Sequence, residues 1–253
     1  MVGALRVVAS PDCGSESLSA VHTRAYLESL ASARPDLWLA IQRSAHSAVA
    51  AASWASRAGM EDSVAFALSY PDGRHAHRGQ ARMGCYVNNQ AIAANTLLQS
   101  VDRVVIFSIG PVHADGIQDV FYERADVMTI SLHWESALES EVAIHMGIVE
   151  ERGSGVGYGY NLNFPLTVPL CDTALIRTLE KALGALQDYR VQAIVLSLHC
   201  HVVDRGGMLG RELGQRIRAL ALPTVVMLES AGPAVDTLFE TEGFFPEFLS
   251  VMT

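Results

Sequence analysis

Short apolar runs rich in Val, Ile and Leu recur along the chain without a polar residue at every second position: 6–10 (RVVAS), 64–69 (VAFALS), 103–108 (RVVIFS), 127–132 (VMTISL), 192–198 (QAIVLSL) and 224–228 (TVVML). Such runs predict strands buried on both faces, as in a parallel sheet covered by helices. Between them, apolar residues at steps of three and four predict helices over 15–31, 36–58, 88–101, 173–187, 209–221 and 234–240. The longest stretch with neither period runs from 133 to 163 and contains ERGSGVGYGYN, a length that reads as a functional loop. No Pro/Gly/Ser linker or internal repeat divides the sequence, so 1–253 reads as a single domain.

In an open parallel sheet, ligands bind beyond the carboxyl ends of the strands. The segments just past the predicted strands are YPDGRHAH, IGPVHAD, HWE, HCH and ESAG. They place His75, His77, His113, His133, His199 and His201 on one rim, with His145 in the long loop. Any single histidine there has an ordinary explanation, because imidazole bridges apolar and wet surroundings. The cluster points to a site.

Composition narrows the class. Half of the 253 residues are apolar and 18% are charged, which excludes disorder. A net charge of -9 argues against nucleic acid and anionic membrane surfaces as partners and leaves a small-molecule substrate as the expectation. No apolar stretch reaches the roughly 18 residues of a membrane span, and the N-terminus lacks a signal-peptide pattern, so a cytoplasmic protein is expected. Cys13, Cys85, Cys171 and Cys200 form no CxxC pair and read as reduced thiols.

Three motifs fail on inspection. The glycines of GSGVGYGY fall at 153, 155, 157 and 159, which does not fit GxGxxG, and no helix pattern follows. Ser154 lacks the GxSxG turn of an elbow nucleophile. Cys200 stands between two histidines, yet a buried Cys is commonly a small apolar filler.

The ordered segments PDGRHAHRGQARMGCYVNNQAIAA, SIGPVHADGIQDVFY, MTISLHW, ERGSGVGYGYNLNFPL, VLSLHCH and LES resemble the arginase/deacetylase superfamily, within it the acetylpolyamine amidohydrolases and histone-deacetylase-like proteins. The resemblance runs from about Leu18 onward and implies a three-layer α/β fold with a central parallel sheet. The family's first strand and helix have no counterpart, and the edge so exposed is one a second subunit can cover, which puts a homo-oligomer among the expected assemblies.

The resemblance also implies a chemistry: zinc held by Asp, His and Asp activates water, paired histidines handle protons and a Tyr polarises the carbonyl. This chain departs from it at nearly every place. Where the family has D-x-D-x-H-H-G-N-G, residues 108–116 read SIGPVHADG, so that two ligands become Gly110 and Val112. The third falls on His201 without a gap, or on His199 with one. The histidine pair becomes Arg74 and His75, the Tyr is replaced at Gly232 and the tunnel aromatic at Gly84. Zinc lowers the pKa of bound water from 15.7 to about 7, so its loss raises the cost of hydroxide by roughly 12 kcal/mol. A positioned His supplies only about 3 to 5 kcal/mol. No metal and no other cofactor is therefore expected at the inherited position.

What the resemblance leaves is a candidate proton-handling dyad, His75 as acid or base with Asp115 orienting it, in a pocket lined by Arg74, His113, His133, His201 and Glu229. Such a site suits proton transfer, elimination, cyclisation or cleavage of an activated acyl group. A non-catalytic binding or scaffold protein is the alternative, and a relocated metal site using the i, i+2 pairs His199/His201 or His75/His77 with His113 or Asp115 is the third. His22 and His46 read as packing residues, Trp38 and Trp54 as core, and Asn88 and Asn89 as a helix start. Ser131 and Leu132 match a segment that helps hold a structural potassium ion in the family. Ser108 and Gly110 replace the carboxylates that share it, so that site is expected to be weakened or empty.

Overall fold

The computed structural model describes residues 8–57, 64–68, 70–134, 147–167, 172–199 and 207–229. In chain order these form α1 (Glu16–Ser19), α2 (Arg24–Ala33), α3 (Pro35–Arg57), β1 (Val64–Leu68), α4 (Asn89–Leu97), β2 (Val104–Gly110), α5 (Asp115–Phe121), β3 (Val127–Trp134), β4 (Asn161–Leu166), α6 (Asp172–Tyr189), β5 (Ala193–His199), α7 (Gly207–Ala219) and β6 (Thr224–Glu229). The six strands make one sheet in the order β1-β6-β5-β2-β3-β4, every pair parallel. The order reverses between β2 and β5, which is where an open parallel sheet places its ligand crevice.

Apolar side chains cover both faces, as the unbroken strand runs predict. One face packs against α1 to α5 through Val104, Ile106, Val127, Val195 and Val225, with the Ala-rich stripe of α3 (Ala45, Ala48, Ala52, Ala55) bringing that helix close. The other packs against α6 and α7 through Phe107, Ile130, Leu196 and Val226, met by Leu179, Leu186, Leu213 and Ile217. The result is a three-layer α/β fold. No described helix is long and apolar enough to cross a membrane.

Several sequence expectations change. The predicted helix over 15–31 is two helices, because Thr23 turns extended and caps α2 by accepting from the Tyr26 amide at 3.3 Å. Of the strand predicted at 6–10, residues 8–10 belong to no strand, and 6 and 7 lie outside the described residues, as do 234–240. β4 and the seven-residue α5 arise where no period was visible. In β4 the buried residues include Asn161 and Asn163, and Pro165 lacks a donor, which the edge position tolerates. Trp38 packs on the core as predicted, but Trp54 is 47% exposed, off the alanine stripe. Four strands also run past their predicted ends, so that Gly110, His133, His199 and Glu229 are strand residues with directions fixed by the ladder.

Candidate functional site

Side-chain alternation along the strands builds the rim. On the face covered by α1 to α5 the apolar positions give way, at the carboxyl ends, to Ser108 and Gly110 of β2, Ser131 and His133 of β3, Ser197 and His199 of β5, and Glu229 of β6. The opposite face stays apolar to the end, with Ile109, Leu132, Leu198 and Leu228. In-register pairing sets Ser108 beside Ser131 and Ser197, Gly110 beside His133, and His199 beside Glu229. The polar rim is thus a property of one face alone.

The segment carrying Arg74 and His75 crosses this rim and is fixed along its length. The Pro71 carbonyl accepts from Ser44 Oγ at 2.8 Å and Asn89 Nδ2 at 3.1 Å. Glu229 Oε1 accepts from the Gly73 and Arg74 amides, both at 3.0 Å. The Arg74 carbonyl accepts from the Ile117 amide at 3.1 Å, and Asn88 Nδ2 donates to the Ala76 carbonyl at 2.9 Å. Asn88 also caps α4, accepting from the Ala91 amide, the role predicted for it. His22 is no loose packing residue: its Nδ1 bonds the His77 carbonyl at 3.0 Å, and its Nε2 accepts from the Asn88 amide at 2.8 Å. Burial lowers its pKa to about 4.

Along this segment the side chains form a continuous polar chain. Arg74 Nε donates to His75 Nε2 at 2.9 Å, so the His75 ring carries its proton on Nδ1 and donates it to Asp115 Oδ1 at 2.5 Å. Asp115 Oδ2 meets His77 Nε2 at 3.0 Å and Arg82 Nη1 at 2.7 Å. On its other nitrogen, His77 faces Asp119 Oδ1 at 3.3 Å. Hydrogen bonds to Asp115 and Asp119 raise the His77 pKa to about 9. Burial acting alone raises the Asp115 pKa, but the bonds from His75 and His77 and the Arg82 cation outweigh it and hold the carboxyl well below its usual range.

At the inner end of the chain stands Glu229. Arg74 Nη1 lies 3.3 Å from Glu229 Oε2, an ion pair without hydrogen-bond alignment. Gln90 Nε2 donates to Glu229 Oε1 at 2.6 Å, and Ser197 Oγ lies 3.5 Å from Oε2. Burial opposes ionisation of Glu229; Arg74, the Gly73 amide and Gln90 lower its pKa in spite of that. The sequence expectation placed Glu229 in a pocket lining. It is instead a buried bracket, 3% exposed, that holds the backbone of residues 73 and 74.

His113 and His133 form a separate unit. Ser131 Oγ lies 3.1 Å from His113 Nδ1 and 3.0 Å from His133 Nδ1, and the rings stand 4.9 Å apart. Ser131, assigned by resemblance to a potassium site, is here shared by two imidazoles. Burial lowers the pKa of His113 to about 3 and that of His133 to about 4. Gly147 covers both rings with φ +82; a Cβ there would meet His113 Cγ at 2.6 Å and His133 Nε2 at 2.8 Å. Glu151 Oε2 accepts from the Gly147 amide at 2.7 Å and from Gln118 Nε2 at 3.0 Å, tying this loop to α5.

Of the candidate residues, then, Arg74, His75, Asp115 and Glu229 are brought together, and His113 and His133 sit beside them as a pair. His201 lies outside the described residues, with His145, Cys171, Cys200 and Gly232. Sequence reasoning missed Gln90, Ser197, Arg82 and Gly147. The isolated serines Ser108 and Ser197 inside otherwise apolar runs were the available signal.

The inherited metal position can be tested on its surroundings. Gly110 and Val112 supply no donor. A side chain at Gly110 would begin 2.8 Å from Arg74 Nη1 and 3.3 Å from His199 Cβ, so a permanent guanidinium cation stands against the place where the family's ligand carboxylate begins. Among the described residues no three His, Cys, Asp or Glu side chains gather as a metal-binding group. These residues do not fit a zinc ion there.

Three-layer order, parallel sheet and a polar rim at the strand switch define a protein of the arginase/deacetylase architecture. The Histone deacetylase domain matches residues 1–207, and the chain belongs to that family. It is 38% identical over 224 residues to the acetylpolyamine amidohydrolase of Burkholderia pseudomallei, covering 83% of this chain and 63% of that protein. It is 35% identical over 210 residues to acetylpolyamine amidohydrolase 2 of Pseudomonas aeruginosa, covering 79% and 59%. The chain thus spans about three fifths of the length of these relatives. The crystal structure of an acetylpolyamine aminohydrolase from Burkholderia pseudomallei superposes with a TM-score of 0.84 at 28% identity, over 94% of this chain and 84% of that one.

Proposed function

We propose that this chain is a divergent, zinc-independent member of the histone deacetylase family that binds a small molecule at its carboxyl rim and does not cleave acetylated amines by the family's metal route. The Arg74 guanidinium carries the reading: it stands against Gly110 and donates to His75 Nε2. A general base must offer a free nitrogen to its substrate. Here one nitrogen of His75 is bonded to Asp115 and the other receives a charge-assisted bond from Arg74, of a kind worth about 1.5–3 kcal/mol. The charge of -9 favours a small-molecule partner over nucleic acid, and we place the protein in the cytoplasm on the lack of a signal-peptide pattern noted above.

A second reading has its own support in the 2.5 Å contact between His75 and Asp115, which fixes the tautomer that a proton-handling histidine needs. In that reading Arg74 leaves His75 when substrate enters and turns its N–H groups on a developing oxyanion, as suits isomerisation, elimination or cleavage of a thioester.

The test assays the purified chain on N-acetylated polyamines with and without added zinc, and on acetyl thioesters, alongside elemental analysis. We expect no zinc-dependent release of acetate and sub-stoichiometric metal. Zinc-dependent turnover that disappears in His201→Ala overturns the proposal. Thioester turnover abolished by His75→Ala replaces it with the second reading.

A further inference from the structure

We infer that Arg74 is the resident cation of this site, so that the space its guanidinium fills is a cradle for an organic cation of the guanidinium type. The inference rests on the zinc-independent reading above and deepens it, and it stands on the groups facing the guanidinium. Those given by the geometry are acceptors: Glu229 Oε2 at 3.3 Å from Nη1, and the lone pair of His75 Nε2 at 2.9 Å from Nε. The third wall is Gly110, whose missing side chain leaves the room that Nη1 takes, at 2.8 Å from where a Cβ would lie.

The cradle is held without help from the Arg74 side chain. Glu229 Oε1 is held by two backbone amides and by Gln90, and His75 is held from behind by Asp115. Removing the Arg74 side chain therefore leaves two preorganised acceptors, one of them a carboxylate 3% exposed, facing an empty space of guanidinium shape. A buried charge stripped of its partner is strongly destabilising, whereas removing both members of a buried pair is far milder. A small cation able to hydrogen-bond in a plane replaces what was lost, and a monatomic cation does not.

Thermal unfolding of four full-length chains tests this: wild type, Arg74→Ala, Glu229→Gln and the double variant. Arg74→Ala should melt well below wild type, and Arg74→Ala/Glu229→Gln above Arg74→Ala. Millimolar guanidinium chloride should raise the midpoint of Arg74→Ala saturably, while equal sodium chloride leaves it unchanged and the wild type gains nothing. Should Arg74→Ala not fold, Arg74→Lys takes its place. It keeps the charge but spans only one of the two acceptors, and Glu229→Gln should then lower its midpoint less than it lowers the wild type's. Additive losses in either cycle, or equal responses to guanidinium and sodium, overturn the inference. Zinc-dependent deacetylation would defeat the functional reading and leave these stability cycles to be judged on their own.

Discussion

Two groups of histidines share the rim of this sheet and behave in opposite ways. His75 and His77 lie among carboxylates and arginines, linked from Asp119 at the surface through Asp115 and Arg74 to buried Glu229. His113, just past β2, and His133, in β3, form the other group, with Ser131 Oγ between them and the backbone of Gly147 above. In the first group carboxylate hydrogen bonds raise the pKa of His77 to about 9; in the second, desolvation lowers the pKa values to about 3 and 4. His77 is only half-buried, and the two carboxylates within hydrogen-bond reach outweigh what desolvation takes from it, whereas His113 and His133 are buried with no carboxylate bonded to either ring. Histidines that look alike as a cluster in the sequence are a carboxylate-bonded relay on one side and a serine-bridged packing unit on the other.

Breaking the charged group should cost most. Asp115→Ala strips His75, His77 and Arg82 of a shared, buried acceptor, and urea unfolding should register a loss of about 3–5 kcal/mol. A loss below about 1 kcal/mol would mean the three donors find other partners and the relay is not a unit. In the neutral group the largest effect should come from its glycine cover. Gly147→Ala forces a Cβ into both rings at positive φ, for an expected loss of about 1–3 kcal/mol. Gly159→Ala is the matched control, since it has φ +92 and nothing within 4 Å, and should show only the smaller backbone cost.

A milder change sharpens the contrast. Ser131→Ala removes the hydroxyl between two imidazole nitrogens and should cost about 1–2 kcal/mol by the same denaturation measurement, with the His113 and His133 ring resonances shifting and those of His77 unmoved. The smallest expected effect is in pH dependence, where the two groups have opposite signs. The folded pKa of His77, about 9, lies above the unfolded value near 6.5, so its contribution is fully present below pH 6.5 and is lost as pH rises through 9. His133 and His113 have folded values of about 4 and 3, below the unfolded one, so their contribution is present above pH 6.5 and is lost as pH falls toward those values. Thermal midpoints across this range should therefore lose their alkaline decline in His77→Gln and part of their acid decline in His133→Gln. An unchanged alkaline limb in His77→Gln would dissolve the distinction between the groups.

How far the site could be read in advance varied by residue. The buried strands were legible because a run such as RVVIFS has no polar face to leave in water. β4 was not, because NLNFPL buries asparagines that only its neighbours satisfy: Thr129 Oγ1 with Asn161, and Gln118 Oε1 with Asn161 and Asn163. His75 and Asp115 were placed together by resemblance and stand 2.5 Å apart. Glu229 was placed on the rim, but its inward turn was invisible, since its partners Gly73 and Arg74 lie 156 and 155 residues earlier.

The amino-acid sequence on its own established the period of the strands, the histidine-rich rim and the replacement of ligand side chains by Gly110 and Val112, because these follow from side-chain chemistry and local repeat. Only tertiary structure decided that Arg74 fills the space Gly110 leaves, that Glu229 braces it, and that the histidines divide into a carboxylate-bonded and a serine-bridged set. Those outcomes depend on strand register and side-chain direction, which set distances of a few ångströms between residues far apart in the chain, and no local pattern encodes such distances.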